Sequence, residues 1–244
     1  MKFPGQITGP VFSDGDLVTF VFDDAALTLR VPKIPYNRDT VDRINQQRDF
    51  RNPDTSSLDH FGDEGHCIES LVTQNWNYED QQSHDDIANV FLEVVVLKHS
   101  DKEYESCLCL NSKSFAEYFL KDIYNAYSDS EQDERPYWPT KQNNFFAKTI
   151  NRDLIDGLQV QIDLGGGEKY PVPSAYFSLG RRYSLRIAFH FGSLHYYDER
   201  VNPYSEELLQ QFKLDAFDDF LSHIRIEYTP ETIALIQKLK ENQQ

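Results

Sequence analysis

The sequence predicts an α+β fold: a mainly antiparallel sheet built from hairpins, with about four helices packed on it. Three observations predict it. Residues 17–31 and 185–197 each place apolar side chains at alternate positions on both sides of a turn pair. Residues 90–97 (VFLEVVVL) are apolar except for Glu93 and rich in β-branched side chains. Residues 114–127, 205–220 and 229–240 repeat apolar positions at helical steps behind capping residues.

The first hairpin joins residues 17–22 to residues 25–31 through Asp23-Asp24. With those two as the loop, Phe22 faces Ala25, Phe20 faces Leu27 and Val18 faces Leu29. All six then share one face, with Thr19 and Thr28 on the other, so the pattern and the turn select the same register. After Pro35 the chain turns polar. Residues 39–47 read as a short helix carrying Val41 and Ile44, and residues 49–65 as an irregular loop rich in Asp, Ser, Asn, Pro and Gly. Residues 90–97 then read as a central strand buried on both faces. Residues 104–110 read as the next strand, paired with it.

Ser114 and Glu117 have capping-box spacing, so a helix is expected to start there and run to about Tyr127. Phe115, Phe119, Ile123 and Tyr127 recur every four residues, with Tyr118 and Ala126 beside them. An acidic run and the Pro-flanked stretch 128–144 follow, either a long loop or an internal boundary. No composition shift accompanies it, so residues 1–244 are read as a single domain.

The second half returns to strands. Residues 158–164 alternate Val160, Ile162 and Leu164 against Gln159, Gln161 and Asp163. A glycine turn follows, then a strand at 170–172. In the second hairpin Gly192-Ser193 suits a type II′ turn, because glycine supplies the positive φ. That register puts Leu185, Ile187, Phe189, Phe191, Leu194 and Tyr196 on one face, and Arg186, Ala188, His190, His195 and Tyr197 on the other. Ser205 is expected to cap a helix with Leu208, Phe212, Ala216 and Phe220 as its buried stripe. A short strand at 224–228 leads to Thr229-Pro230, a cap followed by proline at the first helical position. Ile233, Ile236 and Leu239 form the stripe of that last helix. No internal repeat is found.

Charge narrows the function. Asp and Glu total 40 against 24 Lys and Arg, a net of −16. Such a field repels nucleic-acid phosphates and anionic lipid, and steers basic proteins toward the surface. It serves solubility equally well. Aromatic residues make up 14%, enough for a real core in spite of the charge. No stretch approaches the roughly 20 apolar residues of a membrane helix. Near Met1, Pro4 and Gly5 interrupt any apolar run of signal-peptide length. Three cysteines without a framework spacing suit a reducing compartment, so a cytoplasmic location is expected.

Candidate chemistry is sparse. His190 and His195 face each other in the second hairpin and could share a metal, given a third ligand from elsewhere. They equally suit the polar face of a half-buried hairpin. His60, Asp63, Glu64, His66 and Cys67 crowd the segment DHFGDEGHC, but their spacing follows neither the zinc-protease helix nor a zinc knuckle. Cys107 and Cys109 would share a face on a strand, where an unpaired cysteine usually acts as a small hydrophobe. Gly165-Gly166-Gly167-Glu168-Lys169 lacks the spacing and the hydroxyl residue of a phosphate loop. Neither a nucleophile elbow nor a dinucleotide fingerprint occurs. Pairs such as Asp85-Asp86 and Asp218-Asp219 are too common among 40 acids to nominate an acid and a base. No catalytic residue, metal or cofactor is therefore expected.

Two acidic surfaces remain. Asp129, Glu131, Asp133 and Glu134 precede Tyr137 and Trp138, while Asp215, Asp218 and Asp219 lie off the buried stripe of their helix. Acids beside aromatics suit an interface with a basic protein, the charge steering and the aromatic anchoring. A solvated loop with Trp138 folded back on the core is the alternative. The profile (small, acidic, aromatic-rich, cytoplasmic, without a catalytic signature) resembles that of immunity proteins, the antitoxins that neutralise bacterial toxins. The resemblance lies in gross properties and in no motif. It implies direct inhibition of a basic toxin domain. The competing expectation is a metal-dependent enzyme using His190 and His195, or the His60–Cys67 cluster. A subunit of an obligate assembly is a third.

Overall fold

A computed structural model of the chain describes residues 7–33, 43–44, 59–60, 67–80, 86–128, 147–162, 172–192 and 206–242. The strands of its first half are β1 (Ile7–Thr8), β2 (Asp16–Val21), β3 (Ala25–Val31), β4 (Arg43–Ile44), β5 (Asp59–His60), β6 (Cys67–Asp80) and β7 (Asp86–Lys98). Those of the second half are β8 (Ala147–Ile150), β9 (Gly157–Ile162), β10 (Val172–Ser178), β11 (Tyr183–Gly192) and β12 (Arg225–Tyr228). The helices are α1 (Asp101–Glu105), α2 (Ser112–Ser128), α3 (Glu206–Ser222) and α4 (Pro230–Glu241). None of these is long and apolar enough to cross a membrane.

The fold is α+β, as the patterning predicts. A large sheet runs in the order β1-β6-β7-β11-β10-β9-β8, and every pairing in it is antiparallel. Strand β7 lies between β6 and β11, and Val94, Val95 and Val96 are all buried, with Glu93 as the polar exception in its apolar run. The far edge of β6 is covered in pieces, by β5 at Cys67 and Ile68, β4 at Val72 and Thr73, and β1 at Glu79 and Asp80. A smaller sheet has the order β12-β3-β2.

One face of the large sheet meets the small sheet and α3. Phe12, Phe20, Leu27 and Leu29 from the hairpin side and Phe217 and Phe220 from α3 join Val90, Leu92, Val94, Leu185, Ile187 and Phe189 in one core. Phe189 is its hub, with ring centroids 5.0 Å from Phe217, 5.4 Å from Phe220, 5.6 Å from Trp76 and 6.2 Å from Phe12. The opposite face packs against α2, where Phe115, Phe119 and Ile123 bury against Leu158, Val160 and Tyr176.

Asp24, in the turn of the first hairpin, ties three elements together. Its Oδ2 accepts from the Arg181 amide at 2.7 Å, and its Oδ1 from the Arg181 guanidinium at 3.2 Å and the Thr232 hydroxyl at 3.0 Å. The neighbouring Gly180 has φ 115°, and a Cβ there would fall 2.1 Å from the Asp24 Cβ, so only glycine fits.

The first hairpin has the expected register, Phe20 opposite Leu27 and Val18 opposite Leu29, with the Thr19 and Thr28 hydroxyls 3.0 Å apart. Thr229 caps α4 with Pro230 behind it, also as expected. Strand β11 ends at Gly192, and the second arm of its hairpin, with His195, lies outside the described residues. So do Ser205, the glycine turn at 165–167 and the stretch 129–146.

Other expectations are corrected. Residues 104–110 are not a strand. Ser100 and Glu103 form a reciprocal capping box that opens α1, and Cys107 then reverses the chain at φ 52° into a 3-10 turn at Leu108–Leu110. Both edges of β7 are already taken, and the segment holds no β-branched residue to favour a strand. Cys107 and Cys109 therefore share no strand face. Helix α2 begins earlier than the Ser114 box implied, because Asn111 Oδ1 accepts from the Ser114 amide at 2.9 Å and takes the capping position. Arg43 and Ile44, expected in a helix, pair with Thr73 and Val72 as strand, and Asp59 and His60, expected in a loop, pair with Ile68 and Cys67. The strand placed at 170–172 runs instead to Ser178.

Candidate functional site

Helix α3 presents the acidic surface. Its buried side carries Phe217, Phe220 and Leu221 into the core, which leaves Asp215, Asp218 and Asp219 exposed within one turn of each other. Each is oriented by a neighbour. Asp215 Oδ1 accepts from Gln211 Nε2 at 2.7 Å. Asp218 accepts from Lys148 Nζ and Gln159 Nε2, both at 3.2 Å, which links the helix to β8 and β9. Asp219 lies 3.6 Å from His223 Nε2. The face thus carries three exposed carboxylates, of which Asp218 is ion-paired with Lys148 at its margin. The second acidic surface, Asp129, Glu131, Asp133 and Glu134 with Tyr137 and Trp138, lies outside the described residues.

His190 stands on β11 opposite Phe91, its ring 5.8 Å from that ring. Its partner is a carboxylate: Glu93 Oε2 lies 3.8 Å from His190 Nε2 and also pairs with the Arg186 guanidinium. The His190 imidazole beside it holds the Glu93 carboxyl below its ordinary value, against burial and with help from the Arg186 guanidinium. A guanidinium in the cluster opposes a metal cation at the same place. Among the described residues, no group of three or more His, Cys, Asp or Glu is placed to hold a metal. The second metal candidate is only half visible. Backbone register sets His60 directly across from Cys67, while Asp63, Glu64 and His66 lie outside the described residues.

A third cluster escaped the sequence reading, which took residues 104–110 for a strand rather than the turn that folds Cys109 back toward His99. His99 Nε2 lies 3.1 Å from Cys109 Sγ and 3.0 Å from Ser184 Oγ, and His99 Nδ1 lies 3.6 Å from Glu103 Oε2. Thiol, imidazole and carboxylate in that order are the parts of an activated nucleophile. Access is what the cluster lacks. Cys109 has no exposed surface, and burial, followed by the charge of Glu103, pushes its thiol up and away from thiolate. The arrangement is a satisfied polar core under α2. Its only sequence signal was the Ser100–Glu103 capping pair.

Glu103 makes that cluster sensitive to acid. Burial alone would raise its carboxyl, but the His99 imidazole beside it, the Ser100 amide, Tyr118 and the Ser100 hydroxyl hold it well below the ordinary value of 4.5. A depressed folded value contributes stability that is complete above the unfolded value and fades as pH falls below it. Glu103→Gln is therefore expected to lower the urea midpoint near pH 7, with a gap to the parent that narrows below about pH 4.5. A gap that stays constant down to about pH 3 would remove Glu103 from the account.

A cleft of about 430 Å³ lies along β12, walled by residues 152–155, Phe177 and Ile233. Three of its charged side chains have internal partners: Arg152 donates to the Leu221 and Ile224 carbonyls, each at 3.3 Å, and Arg225 pairs with Glu227 at 2.7 Å. Compared with known families, curated proteins and solved structures, the chain matches no family model, no curated protein and no solved structure.

Proposed function

We propose that this chain is a protein-binding inhibitor, an immunity protein acting in the cytoplasm by docking onto a basic toxin domain and covering its active site. The supporting observation is the set of three exposed carboxylates, Asp215, Asp218 and Asp219, on one face of α3 in a chain of net charge −16. A helix packed by Phe217 and Phe220 holds those charges in a fixed array, so little ordering cost attends their use. Asp129, Glu131, Asp133, Glu134, Tyr137 and Trp138 are the second contact region in this reading. Complementary charge chiefly raises the rate of association and makes it fall with salt.

The test is binding to a basic toxin domain encoded by a neighbouring gene, once one is identified, measured by biolayer interferometry at about 50 and about 300 mM salt. Asp215→Lys with Asp219→Lys is expected to slow association about tenfold or more at the lower salt, and to flatten the salt dependence. Asp218→Asn is read separately, since that residue also holds Lys148 and Gln159. A complex whose association ignores both salt and charge reversal would exclude this face.

A further inference from the structure

Of the two strands that border the small sheet, β12 faces the cleft walled by residues 152–155, whereas the far edge of β2 pairs with nothing among the described residues. The phase of the β2–β3 ladder is fixed by the Phe22 amide, which donates to the Ala25 carbonyl at 2.8 Å. Alternation then turns the backbone groups of Asp16, Val18, Phe20 and Phe22 toward β3, and those of Leu17, Thr19 and Val21 outward. The same three residues expose their side chains: Leu17 is 62% and Val21 41% exposed, with Val11 at 59% close by in the chain. Within residues 16–21 no lysine or proline protects the edge. Folded proteins ordinarily blunt such an edge, and an unprotected apolar one is a place for another strand.

Charge selects the occupant. Asp14 and Asp16 stand exposed at one end of the edge and Asp23 at the other. Lys33, 3.2 Å from Asp16, and Arg30, bonded to the Gly15 carbonyl, offset part of that charge. A second copy added antiparallel would bring Asp14 and Asp16 of one chain against Asp23 of the other, with −16 on each molecule. A strand with alternating apolar residues and basic flanks meets the opposite sign at both ends.

We propose that the outer edge of β2 is a docking site for an extended, basic-flanked segment of a partner protein, which adds as a further strand to the small sheet. Main-chain bonds would form at Leu17, Thr19 and Val21, while apolar side chains of the segment cover Leu17 and Val21. This surface is separate from the acids of α3 and stands or falls independently of them.

The probe is the peptide Lys-Lys-Val-Thr-Val-Thr-Val-Lys-Lys, titrated into the full chain, with glutamate in place of its lysines as the control. Binding in the range of about 10–100 µM is expected, with slowed amide exchange at Leu17, Thr19 and Val21. Leu17→Thr with Val21→Thr keeps the charge and β-propensity and is expected to weaken binding about tenfold. The proposal is overturned by an acidic peptide that binds as well, by protection elsewhere, or by no binding at about 1 mM. Light scattering that shows a dimer abolished by Leu17→Thr would overturn it too, in favour of a second copy.

Discussion

Replacing Phe189 by alanine is expected to lower the unfolding free energy by about 3–5 kcal/mol, the range for deleting a buried aromatic ring. Phe189 has no exposed surface and packs edge-on or tilted against Phe12, Trp76, Phe217 and Phe220, which reach it from the hairpin side, β6 and α3. Three elements lean on one ring, so the hole cannot close without dragging one of them. At about 2–4 °C per kcal/mol for a chain of this size, the melting temperature should fall by about 6–20 °C. Phe189→Leu, which refills most of the volume, should cost about 1–2 kcal/mol. Urea titration with an unchanged slope is the measurement. A loss below about 1.5 kcal/mol for alanine would mean that the cluster is loosely packed.

Asp24→Ala is expected to cost about 2–4 kcal/mol, since hydrogen bonds to a charged group each contribute about 1.5–3 kcal/mol when buried. The carboxylate side chain is 8% exposed, but its partner Arg181 is 34% exposed, so water screens the ion pair and the upper end is discounted. Two further bonds are not screened in that way, those from the Arg181 amide and the Thr232 hydroxyl. Asp24→Asn keeps one acceptor and should fall between parent and alanine variant. Hydrogen exchange adds a local readout: the Arg181 amide should exchange faster in Asp24→Ala while the amides of β7 keep their order of protection. Equal stability of all three proteins would show that the hairpin turn is not anchored where it stands.

Elements governed by local rules were legible in the sequence. The first hairpin follows from two aspartates between alternating runs, and α4 from a threonine and a proline. Strand β6 was not legible, although it runs for 14 residues. A register shift between Ser70 and Val72 buries Leu71 and Val72 in succession, and the buried Gln74 then interrupts the apolar face. Period two is lost just where the strand is most central. Strand β10 is hidden for another reason: it is buried on both faces by small residues, Ser174, Ala175 and Ser178, which resemble a turn. Helical spacing was enough to place Asp215, Asp218 and Asp219 on the outer face of α3. It carried no sign that Lys148, 70 residues away, would sit on Asp218. The His99 cluster was missed for a local reason: the turn at Cys107 that brings Cys109 back to His99 was read as a strand, and only Ser184 joins from 85 residues away.

The small sheet takes two strands from the beginning of the described chain and its third, β12, from near the end. Asp24 and Thr232 meet across 208 residues. During vectorial synthesis the β2–β3 hairpin leaves the ribosome long before its third strand or Thr232 exists. Every described strand of the large sheet precedes β12 in the chain, so the hairpin must wait, part-solvated, for the last segment to close over it. Pairings of such long sequence separation are the slow step of assembly. A chain truncated before residue 225 would carry every described strand of the large sheet but only two of the three strands of the small one.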